Sequence, residues 1–141
     1  MTDIPVARAK IDRPDATIVR LPSLPPSVNE LYFNRPAGQK GKGRVPTDRY
    51  TKWQNDMGFL MNRQRSQFRY FRGPVNVSVT IAEPSPACDI DNRLKGLLDL
   101  CVKYGALPDD NSKVVRDLRI SISDDPAFEG VEVRIEPRRA G

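Results

Sequence analysis

The side chains of this chain best suited to chemistry are gathered between Cys88 and Asp110, in CDIDNRLKGLLDLCVKYGALPDD. Asp89, Asp91 and Asn92 open the stretch, Lys95 follows the second aspartate by four residues, and Asp109-Asp110 closes it. Carboxylates are hard oxygen ligands of the kind Mg²⁺ takes, and two or three of them make a site for metal-assisted phosphodiester hydrolysis. A nearby lysine suits charge developing on a phosphate. A plainer reading uses the same residues: aspartates at a helix start are ordinary caps, and Asp91 with Lys95 is an ordinary i,i+4 pair. Against it, one cap needs one aspartate, and a second beside it repels unless a cation screens it.

The element that must position these groups is a helix. Ile90, Leu94, Leu97, Leu98, Cys101 and Val102 form one apolar stripe, which predicts a helix over about residues 90–104 with Gly105 at its C-terminal cap. Asp89 and Asp91 then lie at its N-terminus, where the dipole favours negative charge, and Lys95 stands one turn beyond Asp91. A helix of about 14 residues is ~21 Å long, whereas the six residues after Gly105 span at most about 20 Å. Asp110 can therefore return to the same site only at the limit of its reach. An early end to the helix, or assembly of the site across a dimer, would ease the return.

Around this stretch the pattern alternates between strand and helix. Residues 1–15 mix charge and proline without periodicity and read as a flexible arm. Thr17–Leu21 is a short strand, and the double proline of LPPSVNELYFNRP forces an extended path. From Asn34 to Arg44 the chain carries Arg35, Lys40, Lys42 and Arg44, three glycines and no acid. This is either a solvated loop or a basic flap that closes on phosphates. Thr47 is a candidate N-cap for a helix whose face is Tyr50, Trp53, Met57, Leu60 and Met61. Its far side and end carry Arg63, Arg65, Arg69 and Arg72, which either contact DNA backbone or solvate the helix end.

Val75, Val77, Val79 and Ile81 alternate with polar residues in the clearest half-buried strand, which Pro84 and Pro86 end. Val114–Ser123 and Val131–Ile135 read as two more strands, expected to pair as an antiparallel edge, with residues 138–141 a disordered tail. The sum is an α/β (α+β) single domain: a mixed β-sheet of about four strands packed with two main helices.

Composition sets the outer bounds. A chain of 141 residues supports one core, without repeats or a second domain. Charged residues at 29%, with no apolar run near ~20 residues and no apolar leader, predict a soluble cytoplasmic protein with no membrane contact. The absence of histidine excludes Ser-His-Asp, Cys-His and His-zinc chemistry within one chain. Cys88 and Cys101 have no zinc-like spacing, and Cys101 falls on the apolar stripe as a core residue. A net charge of +5 favours a polyanionic partner.

With these residues in view, the chain resembles the RusA-type Holliday junction resolvases. The resemblance rests on LPPSVNELY (Leu24–Tyr32), on Tyr50 and Trp53, and most specifically on D-I-D-N-x-x-K-x-x-x-D from Asp89 to Asp99, followed by KYGALPDDNSKV. It covers roughly Leu21–Ile135 and implies that residues 16–137 form a RusA-like nuclease domain. The implied protein is a homodimeric, Mg²⁺-dependent endodeoxyribonuclease, with Mn²⁺ as a substitute, cutting branched DNA at symmetric positions in four-way junctions. Carried onto this chain, the metal-binding aspartates fall on Asp89, Asp91 and Asp110 and the essential lysine on Lys95, with Asp109 the neighbour that would replace Asp110. Asn92 and Asp99 match positions of structural support. The chain departs from the family in having Pro84-Ser-Pro-Ala-Cys88 where arginines precede the first aspartate. That departure shifts the expected DNA contacts to Arg35, Lys40, Lys42 and Arg44 and to Arg63 and Arg65. The competing readings are a non-catalytic basic DNA- or RNA-binding module, a Mg²⁺ enzyme acting on nucleotide-linked diphosphates, and a nuclease of flaps or forks.

Overall fold

A computed structural model describes residues 15–34, 44–83 and 89–138. The expected basic loop residues Arg35, Lys40 and Lys42, the arm up to residue 14, Pro84 to Cys88 and the last three residues lie outside the described residues. The elements run β1 (Thr17–Leu21), a 3₁₀ turn (Val28–Glu30), β2 (Tyr32–Asn34), β3 (Arg44–Pro46), α1 (Asp48–Gln64) and a 3₁₀ turn (Arg65–Gln67). They continue with β4 (Val75–Ile81), a 3₁₀ turn (Ile90–Arg93), α2 (Leu94–Lys103), β5 (Val115–Ile122) and β6 (Val131–Pro137).

One face of a mixed sheet in the order β1-β6-β4-β5 carries the core. Along β4 every second residue is buried, and Val131, Val133 and Ile135 of β6 do the same. These side chains meet Tyr50, Trp53, Met57 and Met61 of α1 and Leu97, Leu100 and Cys101 of α2 in one cluster. Each fully buried aliphatic side chain contributes on the order of 1.5–3 kcal/mol. The opposite face is polar, with Arg20 on Glu132 at 2.9 Å and Arg134 on Glu136 at 2.6 Å. Both helices therefore pack on the same side, in two layers. Among the described residues no helix is long and apolar enough to cross a membrane.

The N-cap of α1 is the expected one: Thr47 Oγ1 accepts from Tyr50 N at 3.2 Å. The same hydroxyl donates to the Glu30 carbonyl at 2.7 Å, so the cap also fastens the helix to the preceding turn. One expectation fails. The last two strands do not form an antiparallel edge: β6 lies between β1 and β4, antiparallel to both, while β5 runs parallel to β4 on the outside. The alternating valines of β6 are fully buried, whereas Leu118 of β5 is 41% exposed, and the more apolar strand takes the centre. The expected basic segment, residues 34–44, is flanked by two short strands the pattern does not announce, β2 and β3, which pair antiparallel from Tyr32↔Pro46 to Asn34↔Arg44.

The crossing from β5 into the sheet centre passes Gly130, whose φ is +72° and whose missing Cβ would collide with the Leu21 carbonyl oxygen. Gly130→Ala combines a left-handed backbone with that collision and is expected to cost roughly 2 kcal/mol or more. Urea unfolding should show a lowered midpoint at unchanged slope. A wild-type midpoint would contradict this packing.

Candidate active site

The first carboxylates sit on a 3₁₀ turn, not on the α-helix itself. Asp89 occupies the N-cap position of that turn in extended backbone, but its side chain makes no capping bond. Instead its Oδ2 accepts from Asn92 Nδ2 at 3.3 Å. The N-cap position of α2 belongs to Arg93. Neither aspartate makes a side-chain capping bond, to the 3₁₀ turn or to α2. Both are exposed, and the Asp91 carboxylate has no hydrogen-bond or ion-pair partner among the described residues.

Lys95 does not pair with Asp91 as the i,i+4 spacing suggests. The 3₁₀ turn winds three residues per turn, and its junction with α2 lies between Asp91 and Lys95, so the two do not share an α-helical face. The ammonium instead contacts Asp99 Oδ1 at 3.1 Å. With Lys N-terminal to Asp this is the less favourable helix order, and with Lys95 55% exposed the pair adds under about 1 kcal/mol. Its consequence is positional: the ammonium is held in place. The Asp99 hydrogen bond raises the Lys95 pKa; burial partly opposes it, and the charges of Asp99 and Asp110 add to it.

Asp110 therefore reaches the surroundings of Lys95 within one chain. The reversal is made at Gly105, with φ +85°, where Ala106 N and Leu107 N both donate to the Cys101 carbonyl, at 2.9 and 3.2 Å. Leu107 is buried, which pins the turn before the acidic pair. The two aspartates then divide. Asp109 accepts from Asp110 N at 2.7 Å and from Asn111 Nδ2 at 3.0 Å, so its carboxylate holds the loop. The Asp110 carboxylate has no hydrogen-bond partner among the described residues.

The sequence places Tyr50 on the core face of α1, as observed, but does not show its contact with Tyr32. Tyr50 is fully buried, edge-on to Tyr32 at 5.5 Å between ring centroids and stacked on Trp53 at 6.4 Å. Its hydroxyl has no hydrogen-bond partner among the described residues; burial first, then Tyr32 and Asp99, push its pKa above the ordinary phenol value. Sequence reasoning also missed that the LPPS segment is seated on α2. A Cβ at Gly96 would stand 2.8 Å from Pro25 Cβ, and Arg93 Nη1 donates to the Pro25 carbonyl at 2.8 Å. The only signal was a glycine inside an apolar helical stripe. Burial pushes the Cys101 thiol up to about 12, in keeping with a core role.

The expected DNA contacts separate. The Arg44 guanidinium lies 5.5 Å over the Tyr32 ring, at the rim of the site. Arg63 lies 6.0 Å over the exposed Phe59 on the solvent face of α1. Arg65 approaches Gly105, with Nη2 3.7 Å from the position of a Cβ there.

Among the described residues no three acidic or thiol side chains stand close enough together to hold a cation as they are. The donor chemistry nevertheless fits a hard divalent ion: among the described residues the Asp91 and Asp110 carboxylates have no partner, and that of Asp89 is engaged by Asn92.

No curated protein sequence matches the chain significantly. The family described as Endodeoxyribonuclease RusA matches residues 25–136, from the proline seated on Gly96 to the end of the central strand. With that span covering most of its 141 residues, the chain belongs to the RusA endodeoxyribonuclease family.

Proposed function

We propose that the chain is a divalent-metal-dependent endonuclease that resolves four-way DNA junctions as a homodimer, in DNA recombination and repair in the cytoplasm. The observation that carries this reading is the Lys95 ammonium, held by Asp99 within the field of Asp110 and one short turn from Asp91, whose carboxylate has no partner among the described residues. Asp89, Asp91 and Asp110 would hold Mg²⁺, or Mn²⁺ in its place. When bound, such an ion supplies a water of lowered pKa and neutralises phosphate charge.

The remaining work falls to side chains of this chain. Lys95 stays protonated at neutral pH and donates to a non-bridging oxygen of the scissile phosphate as charge builds on it. Asp99 keeps the ammonium directed at that point. Asp109, occupied with the backbone of its own loop, presents Asp110. Two such sites related by a dyad would place two symmetric nicks.

With Mg²⁺ and a labelled four-way junction, the wild type should give paired symmetric nicks and leave linear duplex intact, with a forked substrate as a further control. Asp91→Asn should cut at least roughly 100-fold more slowly while still binding the junction. Equal cutting by both proteins, or none by the wild type, would remove this reading.

Asp99→Asn withdraws the hydrogen bond and charge that raise the Lys95 pKa. The Lys95 side-chain carbon resonances should then titrate at a lower pH than in the wild type, measured without metal. By linkage, a raised lysine pKa adds stability that is present below the unfolded value and lost as pH rises through the folded one. Cleavage should slow by roughly ten- to a hundredfold through misplacement of the ammonium. An unchanged titration would show that Asp99 does not hold Lys95 in solution.

A further inference from the structure

The segment after α1 presents a surface that the proposed chemistry does not use. Its backbone is clamped: Arg69 N donates to the buried Thr17 Oγ1 at 2.7 Å, Arg69 Nη1 donates to the Asp15 carbonyl at 3.1 Å, and Phe71 is buried. Val75 N, at the far end, donates to the Val114 carbonyl at 2.7 Å. Between these fixed points Tyr70 faces solvent and is 75% exposed, the most exposed large apolar side chain among the described residues. A ring that contributes so little to packing, on so firmly held a backbone, is presented outward.

Two clefts flank it. One, of about 370 Å³, is lined by Arg69, Tyr70, Arg72 and Arg138 together with Pro74 and Pro137. The other, of about 280 Å³, lies between Tyr70 and the Gly105–Pro108 turn. No carboxylate lines either cleft among the described residues, and none of the three arginines has an ion-pair partner there. The positive charge is therefore not neutralised by this part of the protein. Pro108 precedes Asp110 by two residues, at most ~7 Å of chain, so this surface adjoins the carboxylate loop.

We propose that Tyr70 and its flanking arginines bind an unstacked nucleotide at a DNA branch point. The base lies on the Tyr70 ring and its phosphate among Arg69, Arg72 and Arg138. The pairing of an aromatic platform with guanidinium groups is what single-stranded nucleic acid takes: every base has a π-face, and the backbone is a chain of anions. A base inside a continuous duplex cannot reach the ring, so the site discriminates branched from linear DNA. This rests on the junction-nuclease reading and supplies its selectivity.

The test is binding of the full-length protein, with Ca²⁺ replacing Mg²⁺, to a four-way junction carrying 2-aminopurine at the branch point and to a matched linear duplex. Tyr70→Ser should weaken junction binding at least about fivefold and relieve the quenching of 2-aminopurine, with duplex binding unchanged within about twofold. Tyr70→Phe should restore both signals. Arg72→Gln should weaken binding to both DNAs and lower the salt slope by about one. A Tyr70→Ser protein that binds the junction like the wild type, or loses junction and duplex equally, overturns the site. Cleavage of the same junction with Mg²⁺ separates the two claims. Tyr70-dependent binding without cleavage by the wild type removes the nuclease reading and leaves the site standing. Wild-type cleavage with an unaffected Tyr70→Ser protein removes the site alone.

Discussion

The seat of Pro25 on Gly96 is the contact on which the candidate site depends. Any side chain at Gly96 would push the LPPS segment away from α2, and the Arg93 guanidinium fastens the same segment through the Pro25 carbonyl. That seat fixes the path of the next residues of the chain. Leu31 is buried against the same glycine, and the backbone next supplies Tyr32, which lies edge-on to Tyr50. Ser27 bonds Glu30, whose carbonyl in turn receives the Thr47 hydroxyl that caps α1. The two sequence motifs, proline-rich and acidic, are thus halves of one packed unit.

Charge is distributed over that unit with a consistent logic. Lys95 has a fixed counter-ion in Asp99, which orients the ammonium without adding much stability. Asp109 is consumed by its own loop, and Asp89 by a single long bond to Asn92. The Asp91 and Asp110 carboxylates form no hydrogen bond or ion pair among the described residues, and only the more distant charge of Lys95 acts on Asp110. Carboxylates left without direct partners on two separate segments are poor stabilisers and good ligands.

Much of this is legible in the sequence because burial leaves a period. The stripe from Tyr50 to Met61 and the alternation from Val75 to Ile81 become α1 and β4, and Gly105 marks the turn that returns the acidic pair. Side-chain periodicity cannot encode which neighbour a strand bonds, so the pattern suggests an edge position for β6, which lies in the centre. The three-residue strands β2 and β3 are too short to show any period. The 3₁₀ start of the second helix is hidden for a related reason: one apolar stripe fits both windings over four residues, yet the change turns Lys95 from Asp91 toward Asp99. The division between Asp109 and Asp110 depends on loop hydrogen bonds that two identical residue types cannot announce.

The central claim is that carboxylates from the 3₁₀ turn and from the 109–110 loop converge on one cation beside Lys95. Anomalous diffraction from crystals soaked in Mn²⁺ tests it directly. The expected result is a peak roughly 2.0–2.3 Å from oxygens of Asp89, Asp91 and Asp110, with Lys95 still on Asp99. No peak there, with the aspartates bonded instead to backbone N–H groups, would contradict it and return them to a structural role.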